Sequence, residues 1–497
     1  MLQRFEALQA RWATLGAGGR TEPSRPCTVV VLPSLPSPSA VSAAERRAAE
    51  QRALATLGLL RDPDARLVLL CATPPDPAAV ERIVAAMEAS GVPGVRDRWV
   101  AIAAGDGGPE PLARKFVRRP RVLERVRAAV GTGDRAWLLP LHAGSDERRL
   151  AVRLGLPMYA TLPETVELDR PAAARSLFAE AGLQALPAGE HVRGFDDIVG
   201  AVTKLRFEQP ELAGVVVWAH APEAGRAEIA FEQLPPSGDL AEPAALTRSV
   251  RAMRFSRPDM DLGRFLSLLG EQGGVLEQRP AGATRREPVV GFEIEPERTV
   301  RCTGSWEPIE DGPPVRYRSP ADPEYARVLQ QEALAVARRL ADRGGLGHFA
   351  LRFVVVRTAA GSWRPYAAAI TPGLAAHAMP ELLARALLGA KYDPARAEYV
   401  DEASKGHAVA WVHEWAEPRF EALQPADIEA MLRETGLAFD PATRRGIVPD
   451  MVAAVTERGV LGWSALAPTV GEAQALLERA GEALEQEAQR ASVHAPL

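Results

Sequence analysis

The 38 residues from Arg343 to Pro380 combine a basic charge with a complete lack of acids. They include Arg352, Arg357 and Arg364 but no Asp or Glu, although these acids make up 64 of the 497 residues of the chain. Hard divalent cations such as Mg²⁺ need oxygen anions as ligands. The segment therefore predicts a buried hairpin or an anion-binding surface, and it does not predict a magnesium site.

Other reactive side chains are too scattered to predict a site. Cys27, Cys71 and Cys302 are far apart and form no CxxC pair, so we expect neither a disulfide framework nor a zinc site. His407 and His413 are six positions apart, a spacing that suits neither one helix face nor a zinc signature. We interpret all five as core or surface residues.

Ser34, His348 and His377 likewise predict no chemistry. Ser34 lies in LPSLP, which lacks the glycine context of a nucleophile elbow. His348 and His377 flank the acid-free segment, but without carboxylates they do not predict a metal pair. Phosphate binding by lysine has few candidates, because the chain contains only Lys115, Lys204, Lys391 and Lys405.

The composition limits the class of protein. With 47% hydrophobic and 25% charged residues, a net charge of -5 and a pI near 6.0, the chain has no electrostatic attraction to nucleic acid or anionic membranes. No apolar run approaches the ~20 residues of a membrane span, and MLQRFEALQARW at the N-terminus lacks a signal-peptide core. We expect two or three domains and a cytoplasmic location, and the bias for Arg over Lys favours a bacterial source.

Residues 27–165 alternate between continuous apolar strands and helices. TVVVLPSL, ARLVLLCAT, RWVAIAAG and RAWLLPLH are typical of buried strands, whereas intervening segments such as DPAAVERIVAAMEAS are typical of helices. This alternation predicts a Rossmann-like parallel sheet that is covered on both faces. The strand-to-helix turns contain no GxGxxG, so we expect a structural domain rather than a dinucleotide-binding one.

The remainder of the chain predicts antiparallel strands and further helices. AGVVVWAH with AEIAFEQL, and GGVLEQRP, VVGFEIEP and TVRCTGSW, alternate as half-buried strands do, and a polar, Pro-rich stretch at about 234–262 separates the two groups. PEYARVLQQEALAVARRLADRG is a long amphipathic helix. LGHFALRFVVV and GSWRPYAAAI predict a hairpin, and we expect residues 401–497 to be mainly helical.

This order of elements resembles that of the ATP-grasp ligases, and more closely that of the pheganomycin-type peptide ligases. The resembling motifs run along most of the chain and include VVVLPSL, LARKFVRRPRVLERVR, RSLFAEAGL, GGVLEQRPAG, LGHFALRFVVV, TGLAFDPATRRGIV and GVLGWSAL. The resemblance implies an α/β and α+β fold, divided into a Rossmann-like domain (1–165), a lid subdomain (166–235), a large subdomain with a hairpin floor (236–400) and a mainly helical region (401–497).

Such ligases use ATP and Mg²⁺ to convert a carboxylate into an acyl phosphate, which an amine then attacks. The resemblance implies a first phosphate-binding lysine where this chain has Pro171, beside Arg170, and a second where it has Trp218. The glycine-rich lid corresponds to APEAGRA, in which Arg226 is able to reach an anion. Glu277 corresponds to an acid near the adenine and ribose. Arg170, Arg226 and Glu277 are therefore the candidate nucleotide-binding residues.

The magnesium-binding positions of the family are also replaced. The resemblance implies an Asp where this chain has Arg352, a Glu and an Asn at Ala369 and Thr371, and an Arg at Gly373. A guanidinium in a magnesium site would repel the metal by several kcal/mol in a partly desolvated cleft. We therefore expect no metal ligand at the hairpin.

Six further positions bear on the same resemblance. Glu307 and Glu310 in GSWEPIED are candidates for an auxiliary metal ligand or, alternatively, for a solvated turn. One interpretation is that part of the nucleotide cleft is filled by Trp218, Trp306 and Trp363; the alternative is ordinary packing. Pro449 and Asp450 stand where the family often carries an aromatic residue and a histidine.

The replaced positions lead to one main hypothesis and two alternatives. The main hypothesis is a protein without catalytic residues, metal or cofactor, which has lost Mg-ATP-dependent ligase chemistry and serves as a binding, scaffold or regulatory partner of an active ATP-grasp paralogue. The first alternative is an active ATP-dependent carboxylate–amine ligase that uses Arg170, Arg226, Glu277 and Glu307. The second is a metal-independent binder of an anionic small molecule or peptide. None of the three involves nucleic acid or a membrane.

Overall fold

The structure is a computed structural model, and every structural statement below concerns the residues that it describes. These are residues 1–16, 27–35, 42–132, 134–166, 168, 171–186, 189–210, 212–219, 224–231, 234–256, 260–279, 284–309, 314–358, 360–374 and 378–494. The chain divides into two compact units. Unit 1 comprises Met1–Ala173, Glu287–Arg352 and Ala369–Leu497, and unit 2 comprises Ala174–Arg286 and Phe353–Ala368.

The strands are β1 (Cys27–Leu32), β2 (Ala65–Cys71), β3 (Trp99–Ala103), β4 (Ala136–Pro140), β5 (Glu190–Val192), β6 (Gly214–Ala219), β7 (Arg226–Ala230), β8 (Arg254–Phe255), β9 (Gly274–Arg279), β10 (Arg285–Arg286), β11 (Val289–Ile294), β12 (Val300–Ile309), β13 (Arg316–Ser319), β14 (Gly347–Arg357), β15 (Trp363–Pro372), β16 (Lys391–Asp393), β17 (Glu398–Val400), β18 (Gly406–Ala416), β19 (Gly446–Met451) and β20 (Val460–Ala467).

The α-helices are α1 (Leu2–Gln9), α2 (Trp12–Gly16), α3 (Ala43–Arg52), α4 (Pro77–Ala89), α5 (Leu112–Val117), α6 (Pro120–Val130), α7 (Ser145–Leu154), α8 (Pro171–Glu180), α9 (Phe195–Glu208), α10 (Glu242–Arg251), α11 (Leu262–Gln272), α12 (Pro323–Asp342), α13 (Met379–Leu388), α14 (Pro425–Glu434), α15 (Val455–Arg458) and α16 (Val470–His494). Short 3₁₀ helices span Ala53–Arg61, Arg96–Arg98, Pro163–Val166 and Pro418–Ala422.

Unit 1 begins with the parallel sheet that the apolar runs predicted. Its strands lie in the order β3-β2-β1-β4, and Val29 on β1 pairs in parallel with Leu67 and Trp137. One face packs against α5, α6 and α7. The other face packs against α4, α13 and the 3₁₀ helix Ala53–Arg61. Burial on both faces explains why the strands are apolar throughout.

A large antiparallel sheet forms the rest of unit 1. It runs β14-β11-β12-β13-β18-β17-β16, and β20 and β19 continue it beyond β18. The predicted long helix α12 packs on β11 and β12. It begins after Asp322, whose carboxylate accepts the backbone N–H of Glu324 at 3.0 Å, and Pro323 occupies its first turn. Cap, proline and apolar periodicity thus agree on where the helix starts.

The C-terminal region contains three strands, β18, β19 and β20, besides the predicted helices. The continuous apolar run AVAWV has strand length, and these strands share a core with α14 and α16. The region also packs on α3, where Oε1 of Gln51 accepts the backbone N–H groups of Val452 and Ala453 at 2.9 and 3.0 Å. It is therefore part of unit 1.

Unit 2 has its own sheet and core. Five antiparallel strands lie in the order β5-β9-β6-β7-β8, and α9, α10 and α11 bury its apolar face. Helix α10 lies within the stretch that the sequence suggested to be a polar connection. Ala245, Leu246 and Val250 recur at helical spacing and are buried, which explains why a helix forms there.

Helix α13 approaches the 3₁₀ helix of unit 1 very closely. A Cβ on Gly58 would lie 2.6 Å from the carbonyl oxygen of Leu382 and 3.0 Å from the backbone nitrogen of Ala386. Only glycine allows this approach, which fixes the position of α13 and of the charged side chains that it carries.

Across the described ranges, no helix is both long and apolar enough to span a membrane.

Candidate functional site

Arg352 lies on β14 at the position where the resemblance implies a magnesium-binding Asp. Its Nη1 lies 3.5 Å from Oε2 of Glu287, a carboxylate that is 6% exposed just before β11. The strand register pairs Val289 with Arg352 and so brings the acid alongside the arginine. Because the carboxylate compensates the guanidinium, the pair carries no net charge. Arg352 is therefore paired with an acid and is not an isolated cation.

Ala369, Thr371 and Gly373 lie on β15 or directly after it. Ala369 is half-buried and Thr371 is exposed. Gly373 has a φ of 98°, and a Cβ on it would lie 2.5 Å from the carbonyl oxygen of Leu141. Its backbone N–H donates to the carbonyl oxygen of His348 at 2.7 Å. The arginine that the resemblance implies at this position has no room here.

Magnesium does not fit the hairpin positions. Arg352, Ala369 and Thr371 offer no anionic oxygen, which is the ligand that Mg²⁺ requires. Among the residues that the structure describes, no group of three or more His, Cys, Asp or Glu side chains is arranged to hold a metal. No catalytic step is therefore assigned to a metal held by the hairpin.

Glu307 is a buried structural carboxylate and is not placed as an auxiliary metal ligand. It is 1% exposed, accepts Nε–H of Arg318 at 2.6 Å and also accepts the hydroxyl of Tyr325. Burial and the adjacent carboxylate raise the pKa of Tyr325 well above its usual range. The carboxylate is thus committed to two protein partners. Glu310, the other candidate, lies outside the described residues.

Trp218, Arg226 and Glu277 come together on the sheet of unit 2. Trp218 and Arg226 are register partners on β6 and β7, and the guanidinium carbon lies 5.4 Å from the centre of the indole ring. The indole Nε1–H donates to Oε2 of Glu277 on β9 at 2.8 Å. A cation–π contact and a hydrogen bond to an anion thus hold the indole. Two of the three candidate nucleotide-binding residues share one cluster.

The other residues that the resemblance assigned to the nucleotide cleft do not join this cluster. Arg170 lies outside the described residues, and Pro171 is the first residue of α8. Trp306 is 2% exposed in the core of unit 1, and the suggestion that it fills part of a nucleotide cleft stays a prediction. Trp363 lies on β15 of unit 2, where the guanidinium carbon of Arg357 is 5.7 Å from its ring centre.

His407 pairs with Asp401, an acid six positions before it. Its Nε2 lies 3.2 Å from Oδ2 of Asp401, which also accepts Nη1–H of Arg444 at 2.6 Å, while Oδ1 accepts the backbone N–H of Lys405 at 2.8 Å. Burial opposes the charge of Asp401, but these donors lower its pKa to about 2. The cluster is a charge-assisted network that ties β17, β18 and the loop before β19 together.

Acid unfolding should report on Asp401. Its folded pKa of about 2 lies below the unfolded value of about 3.9, so the stabilisation is present above about pH 4 and is lost as the pH falls toward 2. We expect Asp401→Asn to lower the free energy of unfolding at neutral pH by about 2 kcal/mol and to flatten its pH dependence below pH 5. Urea unfolding at several pH values measures this. Asp342 lies at an exposed position, and an equal loss of pH dependence in Asp342→Asn would contradict this prediction.

Ser34 and Asp450 are structural. Ser34 Oγ donates to the carbonyl oxygen of His142 at 2.6 Å and accepts its backbone N–H at 2.9 Å, which joins the loops after β1 and β4. Asp450 accepts the hydroxyl of Ser464 at 2.6 Å and lies 3.5 Å from Nε of Arg52. Burial raises the pKa of Asp450. Neither residue is poised as a nucleophile or a base.

A cavity of about 490 Å³ lies within unit 1. Its walls come from β1, β4, β11, β12 and α13 and include Trp12, Tyr159, Glu293, His348, Glu381 and Arg385. Tyr159 donates its hydroxyl to Oε1 of Glu293 at 2.6 Å, and its ring meets that of His348 edge-on. The hairpin positions Arg352, Ala369 and Thr371 do not line the cavity.

The N-terminal parallel sheet, the antiparallel sheet of unit 2 and the hairpin-bearing sheet of unit 1 are the elements that the resemblance to ATP-grasp ligases implied. This confirms the fold class and the resemblance that the sequence predicted. The chain is 25% identical over 455 residues to the L-propargylglycine–L-glutamate ligase of Streptantibioticus cattleyicolor, which covers 88% of this chain and 89% of that protein. The profile of the PGM1 C-terminal domain family matches residues 427–480, from α14 into α16.

Solved structures give a weaker similarity. Biotin carboxylase from Campylobacter jejuni aligns with a TM-score of 0.48 and 12% identity over 94% of this chain and 95% of its own. N5-carboxyaminoimidazole synthase from Aspergillus clavatus, with bound ADP, aligns with a TM-score of 0.47 and 9% identity over 93% and 99%. The Staphylococcus aureus enzyme, also with ADP, gives the same TM-score and identity over 93% and 98%. These values describe a general likeness of fold.

The comparisons correct one expectation and weaken another. The expectation that no cofactor is used is contradicted, because the similarity to a ligase extends along most of the chain. The hypothesis that ligase chemistry has been lost is not supported by the similarity to this ligase, which favours the alternative of an active ligase.

Sequence reasoning missed Glu287, Glu381 and Arg385. Glu287 lies far from Arg352 in sequence, and only the strand register brings the two together. Glu381 and Arg385 carried a signal, because residues four apart on a helix share one face. That face of α13 carries two charges within an otherwise apolar helix, which predicts charged groups turned toward an interior.

Proposed function

We propose that the protein is an ATP-dependent ligase that joins a carboxylate to an amine and acts on amino acids or short peptides. The observation that carries this proposal is the similarity to an amino-acid ligase along 88% of the chain. In such a reaction a carboxylate oxygen attacks the γ-phosphorus and ADP leaves. The amine then attacks the acyl phosphate, phosphate leaves, and the amine loses a proton.

The cluster of Trp218, Arg226 and Glu277 supports a nucleotide site on unit 2. Glu277 is held at a strand position by the indole of Trp218, where its carboxylate can accept a ribose hydroxyl. Arg226 lies over the same indole and provides positive charge for a phosphate. In this proposal the tryptophan positions both groups and does not itself contact the phosphates.

Arg352 is proposed to contact anionic oxygens of the reacting groups. Its Nη1 lies 3.5 Å from Oε2 of Glu287, so the guanidinium lies beside that carboxylate. Arginine matches phosphate and carboxylate oxygens with paired N–H donors and keeps its charge at any physiological pH. A hairpin that cannot hold magnesium through carboxylates is therefore still able to donate hydrogen bonds to oxygens on which negative charge develops.

The decisive measurement follows nucleotide turnover. The purified protein is titrated with ATP, with and without Mg²⁺, by calorimetry, and ADP release is then followed with single amino acids and with pairs of them. We expect nucleotide binding, amino-acid-dependent ADP release and a new amide detected by mass spectrometry. ATP binding without ADP release for any pair of amino acids or dipeptides would overturn the ligase proposal.

Variants of the hairpin test the role of Arg352. We expect Arg352→Ala to lower kcat/KM for ADP release by about tenfold or more, because it removes a positioned donor. Glu287→Gln should cause a smaller loss, because the arginine remains but is held less firmly. Arg338→Ala, which removes an exposed arginine on α12, should leave the rate unchanged. Equal rates in all three variants would refute this role.

A second candidate is favoured by the same ion pair. A metal-independent binder of an anionic small molecule or peptide would use the N–H groups of Arg352 as hydrogen-bond donors to the anion. ATP or inorganic phosphate binding that is indifferent to Mg²⁺, together with absence of ADP release, would favour it. Association with an active paralogue and a cytoplasmic location remain predictions for both candidates.

A further inference from the structure

The parallel sheet of unit 1 has one covered edge and one open edge. Beyond β4, the backbone N–H of Leu138 donates to the carbonyl oxygen of Pro157 at 2.9 Å, and the N–H of Tyr159 donates to the carbonyl oxygen of Leu138 at 2.7 Å. Beyond β3, the part of the chain that the structure describes supplies no further strand. The outer backbone groups of β3 are therefore available to pair with another chain.

The ladder with β2 determines which backbone groups of β3 point outward. Ala104, directly after the strand, donates its N–H to the carbonyl oxygen of Cys71 at 2.8 Å. Because alternate residues of a strand direct their N–H and C=O groups to the same side, Ile102 and Val100 also bond to β2. The residues between them direct both groups away from the sheet.

The outward groups belong to Trp99, Ala101 and Ala103. In agreement with this direction, Nη2–H of Arg125 on α6 reaches the carbonyl oxygen of Ala103 at 3.4 Å. This bond is long and exposed, so a backbone N–H of another chain can replace it. The outer side of β3 thus offers a regular row of donors and acceptors.

β3 also lacks the features that usually protect an edge strand from pairing. Its sequence, WVAIA, contains no charged residue, proline or glycine, and Val100 is 42% exposed. By contrast, the terminal strands of the other two sheets, β5, β8, β10 and β16, have only two or three residues each. β3 is therefore the open edge best suited to pairing.

We propose that two copies of this chain associate through their β3 strands, which pair antiparallel about a twofold axis at Ala101. In this register Ala101 faces Ala101 of the second copy, and Trp99 faces Ala103. Every outward residue thus meets an outward residue, and each pair exchanges both of its N–H···O bonds. An interface that is its own complement in this way is what a twofold dimer requires.

Side chains and charges favour the same register. Val100 lies opposite Ile102 of the second copy, so pairing covers the exposed valine. Arg96 precedes the strand and Asp106 follows it. Antiparallel pairing brings these opposite charges to the same end of the ladder, whereas parallel pairing would bring like charges together.

Sedimentation velocity of the full-length protein, without nucleotide or amino acids, tests the association independently of ligase activity. We expect a mass that rises with concentration toward twice the 53.4 kDa of one chain. Val100→Lys, which adds charge to the edge, and Ala101→Pro, which removes an outward N–H, should each raise the dissociation constant about tenfold or more. Val328→Lys, at a 49% exposed position of α12, should dimerise as the wild type does.

Circular dichroism confirms the fold of each variant. A wild type that stays monomeric at every concentration would overturn the proposal. A dimer that is unchanged in both β3 variants would also overturn it, because it would place the interface elsewhere.

Cysteine cross-linking tests the register itself. Facing residues of a hydrogen-bonded antiparallel pair have Cα atoms about 5.5 Å apart, which a disulfide can bridge. Under mild oxidation, Ala101→Cys should therefore form a covalent dimer on non-reducing gels. Val100→Cys should form little, because its own copy lies two residues out of register, and the wild type should form none. Equal cross-linking of both variants, or a dimer in which Ala101→Cys does not cross-link, would refute the twofold axis at Ala101.

Discussion

Replacing Glu307 with alanine should lower the free energy of unfolding by about 3 kcal/mol, because removal of one partner leaves a buried ionic network incomplete. The side chain is 1% exposed, and it accepts hydrogen bonds from Arg318 and from Tyr325, which is itself buried. Urea unfolding followed by tryptophan fluorescence measures this loss. Glu434→Ala, at an exposed position, should change stability by less than about 0.5 kcal/mol.

A double-mutant cycle separates this structural role from a role in metal binding. Glu307→Ala and Arg318→Ala should be strongly non-additive, because either change alone breaks the same ion pair. The Mg²⁺ dependence of ADP release should be the same in Glu307→Gln as in the wild type. Full stability of Glu307→Ala, combined with a changed Mg²⁺ requirement, would identify Glu307 as a metal ligand and refute the structural assignment.

Restoring the family arginine at Gly373 should destabilise the protein by about 3 kcal/mol and should not improve turnover. A side chain there is strained by the positive φ, which costs about 1–3 kcal/mol, and its Cβ would approach the carbonyl oxygen of Leu141 to 2.5 Å. Displacing that backbone adds a cost of about 1–3 kcal/mol. Differential scanning calorimetry of Gly373→Arg and Gly373→Ala would detect this loss as a lower Tm.

Gly200 provides the matched control for this prediction. It lies within α9, and a Cβ on it would meet no atom within 4 Å. Gly200→Ala should therefore be neutral or stabilise the protein by up to about 1 kcal/mol. A Gly373→Arg variant as stable as Gly200→Ala, with faster ADP release, would show that the loop after β15 adopts a different backbone from the one described above.

The architecture was largely predictable, because its signals are local. Continuous apolar runs predicted the parallel strands, alternation predicted the antiparallel ones, and Asp322 with Pro323 marked the start of α12. Helices and strands were harder to predict where most of their residues are polar and only a few side chains are buried. Helix α10 was missed because its buried residues are few and lie between proline-rich segments. The C-terminal strands were missed because helical patterns flank them on both sides.

The site was predictable only in part, because its groups meet through register and packing. The resemblance located Trp218, Arg226 and Glu277, and the structure unites them through antiparallel pairing that no local pattern encodes. The charge of Arg352 was evident from the sequence, but its compensation by Glu287 was not. The spacing of Glu381 and Arg385 placed them on one face of α13, but the packing partner of that helix was known only from its close approach to Gly58.

The bonds from Gln51 to Val452 and Ala453 join positions about 400 residues apart. During synthesis at about 5–20 residues per second, the side chain of Gln51 must wait roughly 20 to 80 s before these partners are made. Throughout that interval the N-terminal domain exposes a surface that is buried in the folded protein. A shortened chain without the C-terminal region would expose it permanently and should therefore aggregate more readily than the full-length chain.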